Sequence, residues 1–212
     1  KNFFKKHYED LLIIFLIAIF SAILFLSIKN SNVIDIFSGV ISSVGTSGLS
    51  FYKPPSNFNL FFVFLTIIGG SIISNSSGIK FLRFYVLLKS MFLEIFKLVT
   101  PNIVIDQRII KTDYKINNEN ISISFLIFVS FFISLLILTS FLSAGDLNFE
   151  KSFKLSILTL TNTVNSDLYG LKDLSFINLL TTSKVSIIIF MIIGKIELIS
   201  FFLIIKKVFT KN

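Results

Sequence analysis

The sequence contains no cysteine and no tryptophan, and only three of its 212 residues are proline. The absence of cysteine excludes disulfides, thiolate metal sites and cysteine nucleophiles. Charged residues are also scarce, at 15% of the chain against about 25% in a typical soluble domain. The chain is apolar instead, with 53% hydrophobic residues, among them 27 phenylalanines. We therefore predict one membrane domain, because a bilayer accommodates this apolar surface and a small soluble core does not.

The net charge of +8 does not indicate nucleic-acid binding, because the basic residues flank apolar segments and do not cluster with exposed aromatic side chains. They indicate membrane topology instead. If residues 1–10, 79–120 and 206–212 lie inside, thirteen of the twenty Lys and Arg residues face the cytoplasm and five face outward. Cytoplasmic loops of membrane proteins carry such an excess. The partner that this pattern predicts is the lipid bilayer, with no nucleic acid.

Apolar segments of two lengths alternate along the chain. Residues 11–28 and 121–142 form uninterrupted apolar runs, and 18 helical residues extend about 27 Å, enough to cross the hydrocarbon core. Residues 33–44 and 149–161 are apolar but too short to cross. The remaining apolar runs are residues 58–68, resumed from residue 79 after a polar break, and residues 176–205.

The order of long span, short apolar segment, polar loop and long span occurs twice, in units of roughly 100 residues. It predicts an all-α integral membrane protein with two membrane–pore-loop–membrane repeats, in which the short segments are re-entrant half-helices. Residues 1–120 form one repeat, including a cytoplasmic connector over residues 91–120, and residues 121–212 form the other.

A glycine-rich segment follows the first short apolar segment. It consists of Gly45, Thr46, Ser47 and Gly48. Backbone carbonyls in such a segment can replace the hydration shell of an ion, and glycine permits the conformations that aim them inward. The segment is typical of an ion filter, and an ordinary Gly/Ser turn on the outer surface is the alternative.

A second polar segment, residues 69–78, interrupts what would otherwise be a transmembrane helix. Its small and polar residues are Gly69, Gly70, Ser71, Ser74, Asn75, Ser76, Ser77 and Gly78. Such a block destabilises a helix and exposes backbone groups, which survive at membrane depth only inside protein or beside water. Small residues also mediate close helix packing, but at four-residue spacing. The continuous block favours a deformable loop that lines a pore.

Lys195 lies within the last apolar run, with apolar residues on both sides. A cation inside a membrane span is costly and usually faces a cavity or a partner. Its aliphatic stem also permits the alternative, in which the ammonium group reaches the membrane surface. We interpret it as a pore-facing charge.

Two motifs resemble signatures of a known family. The segment Gly69-Gly70-Ser71, followed by Ser74-Asn75-Ser76-Ser77-Gly78-Ile79-Lys80 and Arg83, is similar to GG-x-x-GSTAGGIK-x-x-R. The segment Met191-Ile192-Ile193-Gly194-Lys195-Ile196-Glu197 is similar to M-x-x-GRLE. Both signatures belong to the membrane subunit of the Trk/Ktr potassium-uptake systems, and both occur here in the expected order.

The resemblance implies four membrane–pore-loop–membrane repeats around one potassium pore, of which this chain is the third and fourth. It implies that Gly45–Gly48 and Asn162, Thr163 and Val164 are filter segments, with K⁺ at the filter as the only metal. Residues 69–78 are the implied gating loop, and Lys195 the implied pore cation. The implied partners are the remaining pore repeats, a second copy in a homodimer and a cytosolic nucleotide-binding regulatory subunit. The implied location is the cytoplasmic (inner) membrane of a bacterium.

The chain departs from the family at several of these positions. Val164 stands where the fourth filter has glycine, and Asn165 stands where it has proline. Ile73 and Ser77 replace loop glycines, and Lys195 replaces arginine. A β-branched residue resists conformations that a filter glycine adopts. The departures predict weakened potassium selectivity, with a truncated or drifted, non-conducting structural subunit as the alternative.

An enzyme is not expected. No segment carries paired carboxylates, a histidine cluster or a nucleophile–base pair, so we assign no catalytic residue and no cofactor. The chain starts at Lys1 without a methionine or a signal-like segment, which is typical of a piece of a longer protein.

Overall fold

The structure, a computed structural model, describes residues 8–28, 32–49, 53–71, 74–99, 117–145, 147–171 and 174–195. Regular structure in these ranges is entirely helical. The α-helices are α1 (Tyr8–Ser27), α2 (Val33–Val44), α3 (Asn59–Ile68), α4 (Phe81–Val99), α5 (Asn118–Ala144), α6 (Phe149–Leu160) and α7 (Thr181–Lys195). Short 3-10 turns cover Ser56–Phe58, Asp167–Tyr169 and Phe176–Asn178.

Helices α1 and α5 are long and apolar enough to cross a membrane. Many of their large apolar side chains are exposed, for example Leu26 at 83% and Leu136 at 63%. Water would penalise apolar surface of this extent, whereas lipid does not. The all-α membrane fold predicted from the apolar runs is therefore confirmed.

The half-helices α2 and α6 have 12 residues each, or about 18 Å, and cannot cross a bilayer. Helix α1 packs against α2, which packs against α3, and α5 packs against α6, which packs against α7. The two sets contact each other through α3 with α6 and through α4 with α5. The same order of elements thus occurs twice, while the division at residue 120 stays a prediction.

The core lies around the two half-helices. Ile36 and Val40 of α2 are fully buried, as are Phe62 of α3, Leu138 of α5 and Ile157 of α6. Because one face of α2 and nearly all of α6 beyond residue 151 are buried, the C-terminal ends of both half-helices are held against protein, where irregular polar backbone is tolerated at membrane depth.

Two predicted segments differ in detail from the structure within the described residues. Residues 91–99 of the predicted connector continue helix α4, with Glu94 paired to Lys97 at 2.6 Å, and the assignment of residues 91–120 as a cytoplasmic connector stays a prediction. The last span begins at Thr181 and not at Phe176, because Leu179 is extended (φ −71°, ψ 147°) and separates the 3-10 turn from the helix. The rest of the connector, residues 100–116, and the end of the last span, residues 196–205, lie outside the described residues.

Candidate functional site

The two half-helices end in the same way. The first three backbone N–H groups beyond each helix donate to carbonyls of its last turns, in the same pattern and at 2.8–3.1 Å. After the first half-helix, Gly45 donates to Ile41, Thr46 to Ser43 and Ser47 to Ser42. After the second, Thr161 donates to Ile157, Asn162 to Thr159 and Thr163 to Leu158. Thr46 (φ 55°) and Asn162 (φ 50°) are both left-handed, which is uncommon outside glycine. The two segments predicted to be filter segments, residues 45–48 and 162–164 and called the filter segments below, therefore leave their helices with matching geometry.

The two filter segments are also in contact. Gly48 is left-handed at φ +69°, and a Cβ atom there would overlap the carbonyl oxygen of Val164 and lie 2.9 Å from Cγ2 of Thr163. Only glycine permits both the conformation and the approach. Val164 is not among the residues with positive φ, and 52% of its surface is exposed. The matching geometry of the two segments thus ends at this position.

The polar loop, residues 69–78, interrupts the helix where the sequence predicts it. Gly69 ends α3 with φ 66° and ψ −178°, a conformation essentially confined to glycine. The chain then returns to the helix end, where Ile79 N–H donates to the Ile67 carbonyl at 3.0 Å. Phe81 N–H likewise donates to the Gly70 carbonyl at 3.0 Å. Helix α4 begins at Phe81 and not at residue 79, because Lys80 is left-handed (φ 73°).

Serine hydroxyls hold the described part of the loop together. The Gly70 N–H donates to Ser76 Oγ at 2.9 Å, and the hydroxyls of Ser74 and Ser76 lie 2.6 Å apart. Ser74 Oγ also donates to the Ser71 carbonyl at 2.7 Å. These bonds satisfy backbone and side-chain polar groups that would otherwise be unpaired at membrane depth.

The loop contacts the first filter segment directly. The Ser77 N–H donates to Thr46 Oγ1 at 3.2 Å, and both residues are buried. In the second filter segment, Asn162 Nδ2 donates to the Met191 carbonyl of α7 at 3.0 Å. Thr46 and Asn162 are therefore each bonded through the side chain to the backbone of a later segment in their own half of the chain.

Two lysines donate to neighbouring carbonyls of the loop. Lys80 Nζ lies 2.7 Å from the carbonyl oxygen of Ser74, and Lys195 Nζ lies 3.3 Å from that of Asn75. Both lysines line a cavity of about 180 Å³ together with residues 74–78 and Gly194. The cation on α7 is thus in contact with the loop of the other half of the chain.

Gly194 fixes the position of that cation. A Cβ atom on Gly194 would overlap the carbonyl oxygen of Leu160 and lie 2.9 Å from its carbonyl carbon. Helix α7 therefore approaches the end of half-helix α6 by backbone-to-backbone contact, and Lys195 follows directly in the chain.

The structure brings the predicted site residues into one connected region, and their roles in ion passage stay a prediction. Three features were missed from the sequence: the contact of Lys80 with the loop, the close approach at Gly194 and the bond between Thr46 and Ser77. The GIK and GK motifs point to the first two, whereas no sequence signal predicts the third. In the part of the chain that the structure describes, no three acidic or histidine side chains are grouped to hold a metal.

Comparison with known proteins identifies similar transporters. The crystal structure of the potassium transporter TrkH from Vibrio parahaemolyticus matches this chain with a TM-score of 0.73 and 18% identity, over 93% of this chain and 43% of that one. An uncharacterised cation transporter of Methanocaldococcus jannaschii is 29% identical over 181 residues, 82% of this chain and 36% of that protein. No protein-family model matches the chain.

The chain thus spans less than half the length of either relative. The structural match covers 93% of this chain. The resemblance to the Trk/Ktr membrane subunit is therefore confirmed, and this chain shares the fold of part of such a transporter.

Proposed function

We propose that this chain forms part of a potassium-uptake pore, in which its two filter segments line the ion path. The observation that carries the proposal is the backbone contact between Gly48 and Val164 at the ends of two buried half-helices. The two transporters that resemble the chain, one of potassium and one of cations, support the same substrate class.

The chemistry of the pore would come from backbone carbonyls. Such groups replace the water around a dehydrated cation without carrying a net charge, so an ion can bind and leave again. Gly45 and Ser47 have exposed surfaces beside the buried Thr46, and Val164 is exposed in the other segment. These surfaces would face the ion path once the pore is closed by further repeats.

The polar loop and Lys195 would form the gate on the intracellular side. The loop lies directly against Thr46 of the filter, so a change in its position alters the ion path. Lys195 holds the loop through the Asn75 carbonyl, and its positive charge also opposes the passage of K⁺ through a poorly screened cavity.

A complete pore needs partners. Two repeats supply two filter segments, and the proposal assigns the other two to the remaining repeats of a longer protein. We also propose the homodimer and the cytosolic nucleotide-binding regulatory subunit that the family resemblance implies, in the cytoplasmic membrane of a bacterium. This chain would supply the third and fourth repeats.

Val164 favours a second candidate, a non-conducting structural subunit. Its backbone does not adopt the left-handed conformation that Gly48 has at the matching position, so its carbonyl is not aimed by the same geometry. Both weakened selectivity and lost conduction are consistent with this difference. A weakly selective pore still gives an ion flux, whereas a non-conducting subunit gives none.

The two candidates are distinguished by ion flux through the intact protein that contains this chain. The protein is reconstituted in liposomes loaded with K⁺, and uptake of radioactive rubidium is measured against protein-free liposomes. Rubidium uptake that external K⁺ inhibits supports the transporter. Uptake equal to that of protein-free liposomes, with correctly folded protein present, supports the non-conducting subunit.

A further inference from the structure

One residue of each filter segment forms a side-chain hydrogen bond to a later segment in the same half of the chain. Thr46 and Asn162 occupy matching positions and share the left-handed conformation. Thr46 Oγ1 accepts the Ser77 N–H at 3.2 Å, and Asn162 Nδ2 donates to the Met191 carbonyl at 3.0 Å. The donor and acceptor atoms differ, but in both cases the side chain of the left-handed residue bonds to the backbone of a later segment.

The connection matters more in the first segment, because threonine is β-branched and disfavours positive φ, whereas asparagine tolerates it. The strained conformation of Thr46 persists only while its surroundings hold it. One of those surroundings is the loop itself, through a bond that is buried and therefore shielded from exchange with water.

We infer that Thr46 is a positioning residue that latches the polar loop to the filter, so that the gate and the filter change conformation together. The inference rests on the proposed function for its meaning in transport, but the latch itself is a structural claim. Displacement of the loop removes the Ser77 N–H from Thr46 and leaves the threonine hydroxyl and its strained backbone without that support.

The consequence is a filter whose ion preference depends on the gate. With the loop in place, Thr46 is held left-handed and the filter segment keeps the geometry described above. With the loop displaced, Thr46 is free to relax toward negative φ and the segment that leads to Gly48 shifts. The filter is then expected to prefer K⁺ over Na⁺ less strongly when the loop is displaced than when it is in place.

The absence of cysteine from the chain permits a test that does not depend on flux. Ser77→Cys introduces a thiol at a residue that is 7% exposed, and its modification by a water-soluble thiol reagent reports displacement of the loop. The experiment uses the intact protein in membranes, with any cysteines outside this chain replaced. The modification rate of Ser77→Cys alone is then compared with its rate in two double variants. Thr46→Val keeps the shape of threonine but removes the hydrogen-bond acceptor, and Thr46→Ser keeps the acceptor.

The expected result is that Thr46→Val raises the modification rate about fivefold, the factor that corresponds to about 1 kcal/mol for one hydrogen bond. Thr46→Ser is expected to retain the slow rate. Thr159→Val is the matched control, because Thr159 is also buried, at 4% exposed against 7% for Thr46, but its hydroxyl donates within its own helix to the Leu155 carbonyl. It too is expected to retain the slow rate.

Equal rates for Thr46→Val and the parent, or a rise that Thr46→Ser or Thr159→Val reproduces, would overturn the latch. Rubidium flux measured on the same variants separates this from the proposed function. A rate that depends on the Thr46 hydroxyl in a protein without rubidium flux would support the latch and contradict the transporter. Rubidium flux in a protein whose modification rate does not depend on the Thr46 hydroxyl would support the transporter and contradict the latch.

Discussion

The backbone of Gly48 lies so close to the carbonyl oxygen of Val164 that a Cβ atom at residue 48 would overlap it. The two residues belong to different halves of the chain and follow half-helices of equal length. Their contact places side by side the two positions where the family resemblance predicts filter glycines, one occupied by glycine and one by valine. Each of these two residues carries a separate prediction.

Val164→Gly should raise the ratio of rubidium to sodium uptake by up to about tenfold, since a non-glycine residue loses roughly 1–2 kcal/mol in the left-handed conformation. Glycine would give residue 164 access to the conformation that Gly48 already has. Isotope uptake in liposomes measures the ratio. Val164→Ala is the control, because it shortens the side chain but leaves positive φ energetically unfavourable. An unchanged ratio in Val164→Gly would show that residue 164 does not line the ion path.

Lys195→Ala should increase rubidium flux by about two- to fivefold, as expected for the loss of one hydrogen bond at an exposed side chain. The lost bond is the one to the Asn75 carbonyl. Lys195→Arg should decrease flux, because the planar guanidinium holds carbonyls with more donors than an ammonium group does. Flux is measured at matched amounts of protein in the membrane.

Deletion of residues 74–77 should also increase flux, because it removes the part of the loop that contacts both Lys195 and Thr46. Combined with Lys195→Ala, the deletion should give less than the summed effect, since both changes release one gate. Fully additive increases would mean that the loop and the cation act separately, and unchanged flux in both single variants would mean that neither forms the gate.

Gly194→Ala should destabilise the protein by about 1–3 kcal/mol, the usual cost of adding a methyl group to a close-packed contact. The methyl group would force α7 away from the Leu160 carbonyl. Because this chain has no tryptophan, stability is best followed by the fraction that stays monodisperse in size-exclusion chromatography after heating. Val185→Ala on the half-exposed surface of the same helix is the control. Equal midpoints for the two variants would contradict the close packing.

The elements of the fold follow largely from the sequence. The bounds of α2 and the break after Ile68 agree with the apolar pattern, because a short apolar run ending in glycine has few other structures available. The continuation of α4 through residues 91–99 of the predicted connector does not follow from their charge pattern, because charged residues occur both on helix surfaces and in connectors. The onset of α7 was misplaced because nothing in the composition of residues 176–180 distinguishes a 3-10 turn from a helix.

The site could be predicted as a set of residues but not as a set of contacts. The sequence points to Gly48, the loop and Lys195 because a glycine-rich break and a charge inside an apolar run are unusual in a membrane segment. The pairing of Gly48 with Val164, or of Thr46 with Ser77, depends on how α3 packs against α6 and how the loop returns to α3. Those are tertiary relationships that local residue patterns do not carry.

Rubidium uptake by the Gly48→Ala variant tests the central claim most directly. Alanine adds only a methyl group, but at φ +69° and against the Val164 carbonyl it would displace the filter segment. Gly170→Ala is the matched control: Gly170 has nearly the same φ of +70°, and its Cβ would meet the end of the Asn59 side chain, not backbone, outside the filter segments. Measured per folded protein, Gly48→Ala should lose rubidium uptake while Gly170→Ala retains it. Uptake by Gly48→Ala equal to that of the parent protein would contradict the assignment of the ion path.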